Sequence, residues 1–387
     1  MNRIVMIAAL GAMLCCSSVV QAEDNVVKIG LVIPTTGIFS TNGRQIATAV
    51  KTFMSVNGDT AGGRKVEVLI RDDAGSPDLS KRLAQELVIA DHVNFLAGFG
   101  NTPAALAVAP IATQAKTPQV VMVAATSIIP TRSPFIVRSS QTIPQIASAA
   151  GDWAAKHNIK RAISIVSDYG PGLDAEQWFA KSFEAGGGKV LDRLRAPLAS
   201  PEFAPFLQLV KDKAPDAVFV FVPTGAGAVF MRQFSDRGLK AAGVKLLAMS
   251  DVMDDELLNS MGDAAIDAIS IGPYSTSHDS PENKAFVDAF YKTNGKEFRP
   301  NIVAVSAYDG MKLIYDALNA TKGAPDGETL VNAMKGASWN SARGPITIDP
   351  ATRDIVQNIY VRKVERVNGE LWNTEVETIP AVRDPAK

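Results

Sequence analysis

The residues with the most capacity for chemistry lie in short polar loops that directly follow apolar runs. Gly98-Phe99-Gly100-Asn101-Thr102-Pro103 follows one such run, and Ala124-Ala125-Thr126-Ser127 follows the next. Small side chains leave backbone N–H groups open to an anion. Thr102 is a good helix N-cap and Pro103 suits a first helical position, so a carboxylate would rest against that helix start and the Thr102 hydroxyl. Thr126 would add a second hydroxyl. The plainer alternative is that Thr102 only caps its own helix.

Reaction chemistry is poorly served by comparison. Gly98-Phe99-Gly100 begins like a dinucleotide fingerprint, but Pro103 stands where the third glycine belongs, and the run before it is the third of the chain rather than the first. Neither a G-x-x-x-x-G-K-[ST] phosphate loop nor a G-x-S-x-G nucleophile elbow occurs. His92, His157 and His278 are isolated, without metal-ligand spacing, and read as solvated surface residues. Asp72-Asp73 and Asp254-Asp255-Glu256 have the charge to hold a hard cation, yet Asp254 more simply caps a helix running through Met261. The expectation is a protein that is not an enzyme and holds no metal and no cofactor.

The elements that must position these loops form two arrays. Apolar runs at 29–33, 66–70, 93–97 and 120–123 suit parallel strands covered on both faces, and between them segments such as 78–90 carry leucines at helical spacing. A second series follows Arg138, with strands at 162–166, 190–194, 217–222, 244–248 and 268–271 and helices at 203–213 and 226–237. The alternation predicts an α/β protein with parallel sheets in two similar lobes. From Ser280 the chain turns mostly helical, at 281–294, 302–320 and 329–335, before strand-like runs at 345–348 and 359–364. Helices without a sheet of their own must pack on an existing one. The lobes are therefore expected to be joined by several crossings, a geometry that suits a hinge closing over a cleft.

Composition narrows the partners. The 387 residues carry 39 Lys and Arg against 40 Asp and Glu, which leaves no basic excess for nucleic acid. Residues 1–22 combine Arg3, an apolar stretch and the small-residue ending Val20-Gln21-Ala22, the pattern of a cleaved secretory signal. The stretch is shorter than the roughly 20 apolar residues a spanning helix needs. Both cysteines, Cys15 and Cys16, would leave with it, so an exported chain free of disulfides is expected.

The stretches KIGLVIPTTGIFSTNG, RDDAGSPDLSKRLAQELV, GFGNTPAALAVAPIA, AATS, SDYGPG and RGPITIDPATRD together resemble the leucine/isoleucine/valine-binding protein family. Its members are periplasmic solute-binding proteins of ATP-driven importers, with the type I fold of two Rossmann-like lobes and three hinge crossings. The resemblance implies a signal at 1–22, a first lobe of 23–140 plus 274–346, and a second lobe of 141–273 plus 347–387. It also implies a small carboxylate ligand, a membrane permease as partner and a monomer in the periplasm.

Carried over by position, the family's carboxylate pocket falls on the hydroxyls of Thr102 and Thr126 and a backbone group of Ala124. Tyr169 matches a tyrosine that closes over the ligand from the second lobe. Asp251 falls where amino-acid-binding members set an acidic residue against the ligand ammonium. Asn42 and Pro223 stand where leucine-binding members have tyrosines, and the family's first-lobe disulfide is missing. The phrases GFGNTP, DYGPG and HDSPENKAF look more like the branch that takes up aromatic carboxylates and aromatic 2-keto acids, for which Phe39 and Tyr274 would line the enlarged room. A branched-chain or other amino acid is the alternative ligand. A ligand-sensing receptor module is the alternative from another class.

Overall fold

The computed structural model describes residues 25–324 and 326–387. The expected signal at 1–22 lies outside the described residues. The first apolar run is covered on both faces as its composition requires: in β1 (Val26–Ile33) every residue from Ile29 onward is buried. The chain continues through α1 (Ser40–Asn57), β2 (Thr60–Ala61), β3 (Arg64–Asp72), α2 (Pro77–Ile89), β4 (Phe95–Gly98), α3 (Thr102–Ala115), β5 (Gln119–Val121) and β6 (Ile136–Arg138). These strands form one sheet in the order β2-β3-β1-β4-β5-β6, parallel except for the β2–β3 pair.

A second series follows: α4 (Ile143–Lys156), β7 (Arg161–Ser167), α5 (Gly170–Ala185), β8 (Lys189–Ala196), α6 (Ala204–Lys213), β9 (Ala217–Phe221), α7 (Thr224–Asp236), β10 (Lys245–Met249) and β11 (Ile269–Gly272). After it come α8 (Pro281–Asn294), α9 (Ile302–Ala320) and α10 (Gly327–Met334). The chain ends in β12 (Ser338–Ser341), β13 (Gly344–Ile348), β14 (Ile355–Val367) and β15 (Glu370–Val382). The second sheet has the order β12-β13-β14-β11-β10-β9-β7-β8, with β15 added on β14.

Helices cover both faces of each sheet. Phe53, Phe290 and Ile314 from α1, α8 and α9 fill one side of the first sheet, and Leu87 and Val108 from α2 and α3 fill the other. In the second lobe Ile146 and Phe179 pack on one side, with Phe179 stacked 4.1 Å from Phe219, while Phe203, Leu207 and Phe230 fill the other. The three C-terminal helices thus return to the first sheet, as their want of a sheet demanded. The chain passes between the sheets after Arg138, after Gly272 and after Met334, which makes three crossings.

Some expectations need correcting. A lobe boundary at 346 falls inside β13, whose ladder to β14 belongs to the second sheet, although Ala342 and Ile348 still pack into the first lobe's core. The hairpin of β14 and β15 was not foreseen, yet its turn is Asn368-Gly369, with φ of 51° and 86°, the pairing that hairpin turns favour. Asp254 starts no α-helix. Turns and a 3₁₀ segment (Leu258–Ala265) broken at Gly262 follow it, and its buried carboxylate accepts from the Glu256 N–H at 3.0 Å and the Asn301 amide at 2.8 Å. His278 is not a free surface group, since its ring lies 2.9 Å from the Glu375 carboxylate in a half-buried pair.

Candidate functional site

The loops at the carboxyl ends of both sheets meet in one cleft between the lobes. On the first-lobe wall, β4 ends in a turn with two residues at positive φ, Gly98 at 105° and Phe99 at 67°. A side chain at Gly98 would begin 2.6 Å from the Val32 carbonyl, so the chain there must be glycine. The turn buries Phe99 completely and swings Gly100, Asn101 and Thr102 toward the cleft.

Asn101, not Thr102, caps α3: its side-chain oxygen accepts from the Ala104 N–H at 2.9 Å, while its amide donates to the Gly75 carbonyl at 3.0 Å. This shift of one residue frees Thr102. Thr102 lines the cleft, and its hydroxyl lies 2.8 Å from that of Thr126, a half-buried residue that is not among those lining it. Ala124 lines the wall too, but its backbone is engaged, because its N–H donates to the Phe99 carbonyl and its own carbonyl accepts from Arg138 and Ser140. The backbone group expected of Ala124 is therefore not open. Asn42 in the first turn of α1 donates to the Gly100 carbonyl at 3.2 Å, and Phe39 precedes that helix at the cleft.

On the second-lobe wall, Tyr169 occupies the N-cap position of α5 without capping it, and its ring stacks over Phe221 at 6.3 Å and 7°. Asp251 follows β10, with its Oδ2 buried and unpartnered in a hydrogen bond among the described residues. Desolvation pushes the Asp251 carboxyl up to about 6 against the pull of the Arg362 guanidinium. Burial and the charge of Asp251 together raise the Tyr169 phenol above its ordinary range, which puts the two groups within electrostatic reach. Pro223 closes the wall just before α7. Tyr274 does not join the site: its side chain is fully buried in the first lobe's core, where the hydroxyl donates to Asn283 at 2.9 Å.

Sequence reasoning missed Gln141, which lies in the first crossing, and Thr224, at the start of α7; both line the cleft. Thr224 had a signal, since it follows β9 at the carboxyl end of the sheet. Gln141 had none, because only the meeting of the lobes gives it a cleft to face.

The helices α1, α3, α5 and α7 all begin at the cleft, and none has an acidic residue in its first turn. Away from the cleft, α2, α8 and α10 carry Asp78, Glu282 and Glu328 there, whereas α6 and α9 carry no acidic residue. The positive ends of the cleft helices are left for a ligand to complement, and an anion does so best. Among the described residues no group of three or more His, Cys, Asp or Glu side chains gathers as a metal site.

Two α/β lobes joined by three crossings, with an anion-favouring cleft between them, define a ligand-capturing protein of the periplasmic binding class. Residues 26–370 match the model of the periplasmic binding protein family, and the chain belongs to that family. It is 41% identical over 367 residues to Leu/Ile/Val-binding protein homolog 6 of Brucella melitensis, covering 94% of each chain. Among solved structures, it is 54% identical to a solute-binding protein of an ABC transporter from Rhodopseudomonas palustris BisB5, in complex with 3,4-dihydroxybenzoic acid. The TM-score is 0.91 over 94% of this chain and 99% of that one. A second solute-binding protein from R. palustris, in complex with 4-hydroxybenzoate, is 41% identical with a TM-score of 0.91 over 93% and 99% of the two chains.

Proposed function

We propose that this chain is the extracytoplasmic solute-binding component of an ABC importer, that it captures an aromatic carboxylate between its lobes, and that it delivers the ligand to a membrane permease. One observation carries the reading: helix starts without acidic residues and the Thr102–Thr126 hydroxyl pair stand opposite aromatic surface from Tyr169 and Phe221 across one cleft. The carboxylate end is held by Thr102 and the first turn of α3, with Thr126 bracing the hydroxyl. The ring lies against Phe39, Tyr169 and Phe221, where Asn42 and Pro223 leave it room. Closure of the lobes is a population shift toward the form in which the ligand touches both walls. The ligands of the R. palustris proteins support this class of solute.

The protein works as a monomer without catalysis, exported by cleavage after residue 22. An amino acid is the second reading, favoured by the unpartnered carboxylate oxygen of Asp251, which an ammonium would satisfy. Calorimetry with 4-hydroxybenzoate, phenylpyruvate, benzoylformate, phenylalanine and leucine separates the two. Binding of an aromatic acid without an amine is expected. Tight binding of leucine with no heat from the amine-free acids would overturn the reading.

A further inference from the structure

The cleft continues past its own walls. Ile38 from the first lobe and Pro223 and Gly225 at the start of α7 line it, and the same three residues line a second hollow between the lobes. Thr102, Ala124 and Tyr169 do not line this hollow, so it opens away from the end where the carboxylate is held. Beyond the shared residues its walls are Leu198 and Pro201, from the loop after β8, and Ala226 and Val229 on α7. Val229 follows Gly225 by four residues, which puts both on one face of that helix. The walls are apolar although they meet water: Ile38 is 54% exposed. Among the described residues Glu202 is the one charged side chain that lines the hollow. An uncharged apolar chain covers such a surface favourably, whereas a second carboxylate would meet the charge of Glu202.

The junction of cleft and hollow is kept open by a missing side chain. In α7 the packing demands glycine at Gly227, where a Cβ would collide with the Val252 carbonyl. It makes no such demand at Gly225, where a Cβ would meet nothing within 4 Å. Glycine there leaves the passage clear at some cost to the helix.

Resting on the aromatic-carboxylate reading, we infer that the hollow is a subsite for an uncharged apolar chain carried on the ring opposite the carboxylate, and that Gly225 is the residue that admits it. Such a chain touches Ile38 of one lobe and Val229 of the other, so it adds contacts that favour closure.

The test is calorimetry with benzoate, 4-ethylbenzoate, 4-n-butylbenzoate and terephthalate on the wild-type protein, Gly225→Leu and Leu198→Ala. Affinity should climb with chain length, 4-n-butylbenzoate binding about 10-fold to 100-fold tighter than benzoate, since a fully buried methylene is worth about fourfold and this hollow is open on one side. Terephthalate should bind no better than benzoate. Gly225→Leu places a good helix former in the passage and should hold the butyl acid to within about threefold of benzoate. Leu198→Ala, on a loop, strips one wall and should lower the gain by about threefold, a readout that remains if Gly225→Leu fails to fold. Equal affinity for benzoate and 4-n-butylbenzoate, tighter binding of terephthalate than of 4-ethylbenzoate, or an unaltered gain in a folded Gly225→Leu or in Leu198→Ala would overturn the inference while leaving the aromatic-carboxylate reading in place. Binding of none of the four acids would overturn that reading and the inference with it.

Discussion

The hydroxyls of Thr102 and Thr126 lie 2.8 Å apart, and neither caps a helix, because Asn101 takes the cap of α3. Thr102 lines the cleft, so a carboxylate held there would draw on both hydroxyls of the pair. Thr102→Val should weaken a bound carboxylate by about 1.5–3 kcal/mol, the worth of a hydrogen bond to a charged group. Thr126→Val should cost about 0.5–1.5 kcal/mol, and the double variant less than the sum, since the pair acts as a unit. Titration of the three variants with 4-hydroxybenzoate checks this; unchanged affinity in Thr102→Val would mean that the carboxylate sits elsewhere.

Arg138 connects the cleft to the hinge. Its fully buried guanidinium pairs with Asp354 at 2.6 Å and donates to the Thr126 carbonyl at 2.8 Å, so one side chain clamps the cleft loop to the turn between β13 and β14. Removing one member of a buried pair strands the other, at a cost of about 3–5 kcal/mol. Asp354→Asn and Arg138→Met should each show a loss of this order in urea unfolding, together with weaker ligand binding. A loss under about 1 kcal/mol would show that the pair is compensated from elsewhere, Lys387 at 3.3 Å from Asp354 being the nearest candidate.

A ligand group set against the raised carboxyl of Asp251 would make binding depend on pH with a definite sign. Because the group is held up to about 6 when folded, the ligand-free protein binds an extra proton between the ordinary carboxylate range and that value, and it loses this contribution to stability as pH rises through 6. A ligand hydroxyl that donates to Asp251 favours the ionised form. Affinity for 4-hydroxybenzoate should therefore rise from pH 5 to pH 7.5 relative to benzoate, whose charge meets an ionised Asp251 without relief. A divergence on the order of tenfold is expected for one linked proton. Parallel profiles for the two ligands would show that the ligand hydroxyl does not meet Asp251.

Gly172 sets the position of Tyr169. A Cβ at Gly172 would lie 1.8 Å from the Ser167 carbonyl, whereas one at Gly170 would meet nothing within 4 Å. Gly172→Ala must push the start of α5 away from β7, so a stability loss of about 1–3 kcal/mol and weaker ligand binding are expected. Gly170→Ala is the control and should leave both nearly unchanged. Thermal unfolding and titration of the pair would reveal a misplaced α5 start if the two variants behaved alike.

Much of this was legible in the residues because the patterns were local. Helices at 281–294 and 302–320 were read to the residue, since Ser280 and Asn301 cap them and apolar spacing fills their length. The loops of the cleft were legible because parallel sheets offer ligands their carboxyl ends. What depended on tertiary contact was not. Asn101 and Thr102 are both good caps, and the choice was settled by the Gly75 carbonyl bonding the Asn101 amide. Tyr274 had the right type for a ring contact, yet the core of the first lobe claimed it through Asn283. Gln141 became a wall residue only because the first crossing runs along the cleft.

The most direct test is a competition. The purified protein is challenged with an equimolar mixture of 4-hydroxybenzoate, phenylpyruvate, phenylalanine and leucine, and the retained ligand is weighed by native mass spectrometry. One aromatic carboxylate without an amine per chain, lost when Thr102 and Thr126 are both valine, is the result expected. Retention of leucine, or retention of the aromatic acid by the double variant, would contradict a cleft built to hold an aromatic carboxylate at Thr102.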